Sequence, residues 1–329
     1  MTALAPILES FFLRRLMGQR RASQNTVASY RDAFRLLLHY AKEETGKAPQ
    51  GLKLEDLDAT FIGSYLAWLE RSRGASVHTR NARLAAIRAL FRYASYDFPE
   101  HADLIQRVLA IPAKRSDTAI VTYLTEEEST ALINAPDAST WRGRRDRTLL
   151  LVAIVTGLRV SELVNMTTAD VHLESGAYLS CRGKGRKERI TPLGKDAGAR
   201  LKAWLAEQKP QRLAPLFPGP SGQKLTRDAV AKIVARHVKQ ATKDCPSLAL
   251  KTVSPHTLRH TCAMRLLQAG IDIATIALWL GHENIRTTQI YLHADLALKQ
   301  RALDRTAPPG SRPGRYHPPN DLLAFLEGL

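Results

Sequence analysis

Apolar residues recur at three- and four-residue steps over much of this chain, the pattern of helices that bury one face. Over residues 25–42 the stripe is Val27, Tyr30, Phe34, Leu37, Leu38 and Ala41. Over 60–73 it is Phe61, Tyr65, Trp68 and Leu69. A third helix starts at Ser76, a good N-cap, and runs to about Tyr96, burying Leu84, Ile87, Leu90, Phe91 and Ala94. The pattern breaks at IPAKRSDTAIV, where Pro112 lacks a backbone donor and biases Ile111 away from helix. The capping box Thr125-x-x-Glu128 then opens a new helical domain. Within it the pattern predicts helices over 146–156 (stopped by Gly157), 195–208, 226–241, 257–269, 273–280 (stopped by Gly281) and 287–292. Strands over 177–182 and 187–191 flank a Gly183-Lys184-Gly185 turn, a β-hairpin.

The expected fold is mainly α with a small β-sheet. Residues 1–110 form a helical domain, 111–121 a linker, 122–306 a mixed α/β domain and 307–329 a tail. That tail is rich in proline and glycine up to Pro319 and ends in an apolar piece, Leu322, Leu323, Phe325 and Leu326.

Charge narrows the partner. The chain of 329 residues has 48 Lys and Arg against 31 Asp and Glu, a net charge of +17. The excess is spread, with 18 basic and 11 acidic side chains up to Arg115 and 30 and 20 beyond it. Two basic jaws on one duplex would have this distribution; a single basic tail would not. No apolar run approaches the ~18 residues of a spanning helix, and Glu9 interrupts the N-terminal stretch, which lacks a small-residue cleavage site. Cys181, Cys245 and Cys262 are odd in number with no CxxC spacing, so neither a disulfide framework nor a zinc site is expected, and the cytosol is the expected compartment.

Seven residues then define a chemistry: Arg159, Glu162, Lys184, His256, Arg259, His282 and Tyr291, in the motifs TGLRVSEL, RGKGRKER, SPHTLRH, WLGH and TTQIYLHAD. Cleaving a phosphodiester without water needs a nucleophile, cations on the pentacoordinate phosphate, and an acid for the leaving 5′ oxygen. Guanidinium forks suit phosphoryl oxygens, and residues three apart on a helix share a face, so His256 and Arg259 reach one phosphate together. A Tyr in an apolar helix is ordinarily a core residue; only the constellation makes Tyr291 a nucleophile. Lys184, between two glycines, has the reach to protonate an alkoxide, although a merely basic hairpin has the same composition. Arg80, Arg83, Arg88 and Arg92 on the third helix, and Arg186, Lys187 and Arg189 on the hairpin, are the expected phosphate contacts. No metal and no cofactor are expected, since no HExxH or cysteine pair is present and the cations already supply the charge.

This order of motifs resembles the tyrosine recombinases, the phage-type integrases, over nearly the whole chain. The resemblance implies a SAM-like core-binding domain followed by a catalytic domain, together forming a C-shaped clamp on double-stranded DNA. In that family the counterpart of Tyr291 forms a 3′-phosphotyrosyl bond and those of Arg159 and Arg259 bind the phosphate. Lys184 matches the general acid, His256 an acid–base partner, His282 a donor to the phosphate and Glu162 a supporting residue. Four protomers act on two sites, and the tail is expected to dock on a neighbour. Cys262, Met264 and Arg265 depart from the family's Phe-Ala-Thr-His run. Two other readings share these residues, a type IB-like topoisomerase and a non-catalytic DNA-binding protein of the same fold.

Overall fold

The computed structural model describes residues 2–115, 121–174, 176–182, 188–208, 213–282 and 284–294. The chain divides into two compact units between Thr118 and Ala119, inside the stretch where the apolar pattern breaks.

The first unit is helical. Its elements are α1 (Leu4–Ser10), a π-helix (Phe11–Gln19), α2 (Gln24–Thr45), α3 (Ala59–Arg71), α4 (Val77–Ala94) and α5 (Ala102–Ala110). Side-chain caps start three of them: Ser23, Asp58 and Ser76 accept the N–H groups of Thr26, Phe61 and Thr79. The apolar stripes converge on one core that includes Phe11, Phe34, Leu37, Tyr65, Leu84, Ile87, Phe91 and Val108.

Three of the four α4 arginines expected on DNA phosphates donate to backbone carbonyls of their own unit. Arg80, buried, donates to the Pro112 carbonyl at 3.0 Å, and Arg88 donates to that of Ile111. Arg83 donates to the Ser29 carbonyl at 3.2 Å. Asn81 bonds Lys114 in both directions, at 2.8 and 3.0 Å. The polar face of α4 thus fastens residues 111–114 to the unit, because carbonyls of a chain leaving a proline have no helical donors to meet. Arg92 is exposed.

The second unit contains α6 (Glu126–Asn134), α7 (Trp141–Thr156), α8 (Val160–Asn165), α9 (Lys195–Gln208), α10 (Arg227–Ala241), α11 (Pro255–Gln268), α12 (Ile273–Leu280) and α13 (Arg286–Ala294). Strands β1 (Val171–His172), β2 (Tyr178–Arg182) and β3 (Glu188–Pro192) form an antiparallel sheet in that order, with Tyr178 opposite Pro192 and Arg182 opposite Glu188. The capping box predicted at Thr125 and Glu128 forms, with bonds of 2.8 and 3.2 Å. Helix α7 begins five residues before the predicted start. Thr140 caps it, and the polar run that hides it from the apolar pattern includes a buried ion pair. There Asp146 Oδ1 accepts from Arg145 Nε and Nη2 at 2.9 and 2.7 Å, while Oδ2 meets His237 Nε2 of α10 at 3.0 Å. Burial works against this carboxylate, yet the bonds from His237 and Arg145 hold its pKa below the usual value.

Asp146→Ala would leave the Arg145 guanidinium, 4 % exposed, without its counter-charge. Urea unfolding of the full chain should show a loss of about 3–5 kcal/mol. A loss below about 1 kcal/mol would mean that the pair contributes no more than an exposed ion pair does.

Candidate active site

The site is built on two helix ends. Helix α7 stops because Gly157 takes a left-handed φ of +63° and returns its N–H to the Ala153 carbonyl at 3.1 Å. Helix α12 stops at Gly281, φ +64°, with Gly281 N–H on Leu278 and His282 N–H on Ala277, the paired bonds of a Schellman ending. The two ends pack closely: a Cβ on Gly157 would lie 2.6 Å from Leu280 Cδ2 and 3.1 Å from Cys262 Cβ. No side chain fits there, so the conformation and the space both require glycine.

Helix ends expose carbonyls, and arginines occupy them. Arg259 of α11, 2 % exposed, donates from Nη1 to the Gly157 carbonyl at 2.6 Å and from Nη2 to that of Leu280 at 2.7 Å. Arg159, at the N-cap of α8, donates from Nη2 to the Gly281 carbonyl at 2.8 Å. A cation at two helix C-termini is favourably placed in both dipoles. Burial, and then the field of Arg159, pull the Arg259 pKa down to about 10, which still leaves it charged at neutral pH.

Glu162 ties this pair to the sheet. Its Oε1 accepts from Arg159 Nη1 at 2.9 Å and Arg189 Nη1 at 3.0 Å; its Oε2 accepts from the Arg159 N–H and Arg189 Nη2, both at 2.8 Å. All the acceptor positions of the carboxylate are used. Burial raises its pKa, but the bonds from Arg189 and Arg159 and the charge of Arg189 prevail and hold it at about 2.

Arg189 therefore sits otherwise than expected. Its fork, expected on DNA phosphate, is bonded to Glu162, with its side chain 11 % exposed. Strand alternation is the reason: on β3, Arg189 and Thr191 face inward while Glu188 and Ile190 face out. Lys184, Arg186 and Lys187, and the tail beyond 306, lie outside the described residues.

Around the two arginines lie three histidines and a tyrosine. Tyr291 of α13 is 1 % exposed, and its hydroxyl is 2.9 Å from Nδ1 of His260. The His260 ring stands edge-on to that of His256, centroids 4.5 Å apart. His282 places Nδ1 2.7 Å from the hydroxyl of buried Thr288. Burial and then the arginine fields depress His282 to about 4; burial, His256 and Arg259 do the same to His260, also to about 4. His256 is lowered by burial, Arg259 and Arg159. Burial pushes the Tyr291 phenol up to about 12, against a downward pull from Arg259. At neutral pH this is a pocket with fixed guanidinium charge and neutral imidazoles, suited to an incoming anion.

Arg159, Glu162, His256, Arg259, His282 and Tyr291 are thus brought together from α8, α11, α12's end and α13. His260 and Thr288 were not among the expected site residues. His260 lies one turn after His256, and Thr288 one turn before Tyr291, which is the only local signal for either. Cys262, where the motif departs from the family run, is buried against Gly157 and directs its thiol to the Val155 carbonyl at 3.4 Å.

The Glu162 carboxylate has a pH signature. Its folded pKa lies below the ordinary 4.5, so its stabilising effect is complete above 4.5 and fades as pH falls toward 2. Glu162→Gln should cost on the order of 3 kcal/mol at pH 7 and progressively less between pH 4.5 and 2, read by urea unfolding across that range. A cost independent of pH would contradict this ionisation.

Comparison with known proteins agrees with this geometry. Residues 122–297 match the phage integrase family, and residues 10–96 match the phage integrase N-terminal SAM-like domain. The protein y4rC of Sinorhizobium fredii, an integrase/recombinase by name, is 50 % identical over 99 % of this chain and 98 % of its own length. Tyrosine recombinase XerC of Pelotomaculum thermopropionicum is 32 % identical over 86 % of this chain and 92 % of its own. Among solved structures, the XerH recombinase bound to its difH substrate before cleavage matches with a TM-score of 0.66 at 25 % identity, over 88 % of this chain and 82 % of that one. With two glycine-stopped helices presenting paired arginines beside a buried tyrosine, and with these matches across both units, the chain belongs to the phage integrase family of tyrosine recombinases.

Proposed function

We propose that this recombinase cleaves and rejoins double-stranded DNA at specific sites, with Tyr291 as nucleophile and a 3′-phosphotyrosyl bond as intermediate. The observation that carries the reading is that two guanidinium groups meet the same pair of helix ends, Arg259 on the Gly157 and Leu280 carbonyls and Arg159 on that of Gly281, so their positive field is concentrated in one place. A phosphate entering that field meets two guanidinium groups, Arg159 and Arg259, already oriented by helix-end carbonyls. Orientation in advance is what makes such donors effective on developing charge. Glu162 and Arg189 position Arg159 rather than touching the phosphate. His282, whose Nδ1 is engaged by Thr288, has Nε2 left to donate to a phosphoryl oxygen in this reading.

Lys184 is assigned to the leaving 5′ oxygen, with Arg186 and Lys187 as phosphate anchors beside it; His256 assists proton transfer at the phosphate. Exposed Arg92 on α4 is the α4 arginine best placed to meet DNA. The ester conserves the energy of the broken bond, so a 5′ hydroxyl from another strand reverses the step without ATP. Four protomers on two sites would exchange the strands, with residues 307–329 docking on a neighbour. The DNA-bound neighbours support DNA as the partner: XerH on difH, and a lambda integrase dimer on a COC′ core site that shares the fold at a TM-score of 0.64.

The test uses supercoiled plasmid carrying the DNA that flanks this reading frame, quenched in SDS and probed for protein on a 3′ end. Wild type should be captured and Tyr291→Phe should not, while both bind the DNA equally. Arg159→Ala should lower the capture rate by about 10²–10³. Capture by Tyr291→Phe would refute the assignment of the nucleophile.

Deleting the residues after Ala307 should abolish pairing of two sites in a gel-shift assay and spare binding to one. Unchanged pairing would remove the tail from the assembly.

A further inference from the structure

The Tyr291 hydroxyl has one hydrogen-bond partner among the described residues, and it is not His256, the histidine expected to serve acid–base chemistry. It is His260, whose Nδ1 lies 2.9 Å away. The two side chains come from different helices, α11 and α13, and the Tyr291 ring meets the His260 ring edge-on at 5.5 Å between centroids. The His256 ring meets that of His260 edge-on, with centroids 4.5 Å apart.

We propose that His260 is the general base of the cleavage step, taking the proton of Tyr291 as its oxygen attacks the scissile phosphate. The inference rests on the recombinase reading above. Geometry comes first for a general base, and this one is already within bonding reach. The imidazole is uncharged at neutral pH, so one ring nitrogen carries a proton and the other a lone pair. With the proton on Nε2, the lone pair on Nδ1 faces the phenol.

The step balances. Tyr291 Oη forms a bond to phosphorus as the bond from phosphorus to O5′ breaks. The phenolic proton passes to His260 Nδ1, and Lys184 supplies a proton to O5′. Ligation runs the same transfers backward.

Without DNA the transfer is steeply uphill, from a phenol pushed up to about 12 to an imidazole pulled down to about 4. DNA changes that. The groups facing His260 are His256 and Arg259 on its own helix and Tyr291 across on α13. An incoming phosphate offsets the positive field of Arg259 and raises the basicity of His260. Proton transfer is thereby coupled to the presence of the substrate, and the idle enzyme keeps its nucleophile protonated.

The test compares wild type, Tyr291→Phe, His260→Ala and Lys184→Ala on one mapped site, made with either an ordinary 5′ oxygen or a bridging 5′ sulfur at the scissile phosphate. Sulfur departs without a proton, so the Lys184→Ala defect should be repaired by it. His260→Ala should capture about 10²-fold more slowly on both substrates. Its rate should climb with pH from 8 to 9.5, above the range in which a His260 made more basic by phosphate titrates and where wild type stays flat, while DNA binding is unchanged. A His260→Ala rate close to wild type, faster than wild type, or repaired by sulfur would overturn the proposal.

If wild type gives no capture, or Tyr291→Phe does, the recombinase reading fails first. The pair is still tested without activity by ¹⁵N NMR of the His260 ring in DNA-free wild type, with Tyr291→Phe identifying the resonance. An unprotonated Nδ1 that shifts on loss of the hydroxyl is expected. A proton resident on Nδ1 would overturn the proposal even if the variant proved unfolded.

Discussion

A single buried guanidinium joins the ends of two helices, and the site is arranged around it. Arg259 bonds the carbonyls of Gly157 and Leu280, the points where α7 and α12 stop. Those stops need glycine at 157 and 281 for backbone reasons, and at 157 also because Leu280 and Cys262 leave no room for a side chain. Removing the charge would take from two helix-end carbonyls the guanidinium that donates to them. Stability of the fold and electrostatics of the site are therefore the same interaction viewed twice.

Glu162 extends that arrangement outward. By accepting from both Arg159 and Arg189 it fixes the N-terminus of α8 against β3, and its negative charge is fully engaged by the two arginines. Arg159, with a side chain 32 % exposed against 5 % for Glu162, remains the more accessible member. The histidines answer to the same field. Placed close to fixed cations and out of water, they are neutral at neutral pH, and two are held by a neighbour: His282 by Thr288 and His260 by Tyr291. A substrate that brings negative charge would restore their basicity, so readiness for chemistry depends on occupancy.

Much of this was legible in the sequence because it is written locally. The apolar stripe gave α9 and α12 to the residue, and Thr125 with Glu128 gave the start of α6. Helix α11 starts at Pro255, two residues early, since Ser254 caps it and proline is at ease in a first turn. What escaped has a nonlocal cause. Arg145 and Asp146, at the edge of the helix predicted over 146–156, form a buried pair closed by His237, 91 residues from Asp146. Arg189 has the look of a phosphate anchor; its place on the inward face of β3, which it shares with Thr191, turns it to Glu162. His260 is inconspicuous beside Arg259, because its partner arrives from α13. The strand β1 is too short for any periodicity. Resemblance to the family named the six described residues of the site but not the two that hold their rings and hydroxyl in place.

The central claim is that Arg259 acts on phosphate charge and not only as a tie between helices. It is tested by giving the mapped site a methylphosphonate, which removes one negative charge at the scissile position. The rate of covalent capture is then compared for wild type and Arg259→Ala on charged and neutral substrates. A purely structural loss would burden both substrates equally. If the guanidinium neutralises phosphate, the penalty of the substitution shrinks by about tenfold or more on the neutral one. An equal penalty on the two substrates would contradict the account and leave Arg259 as a structural bridge.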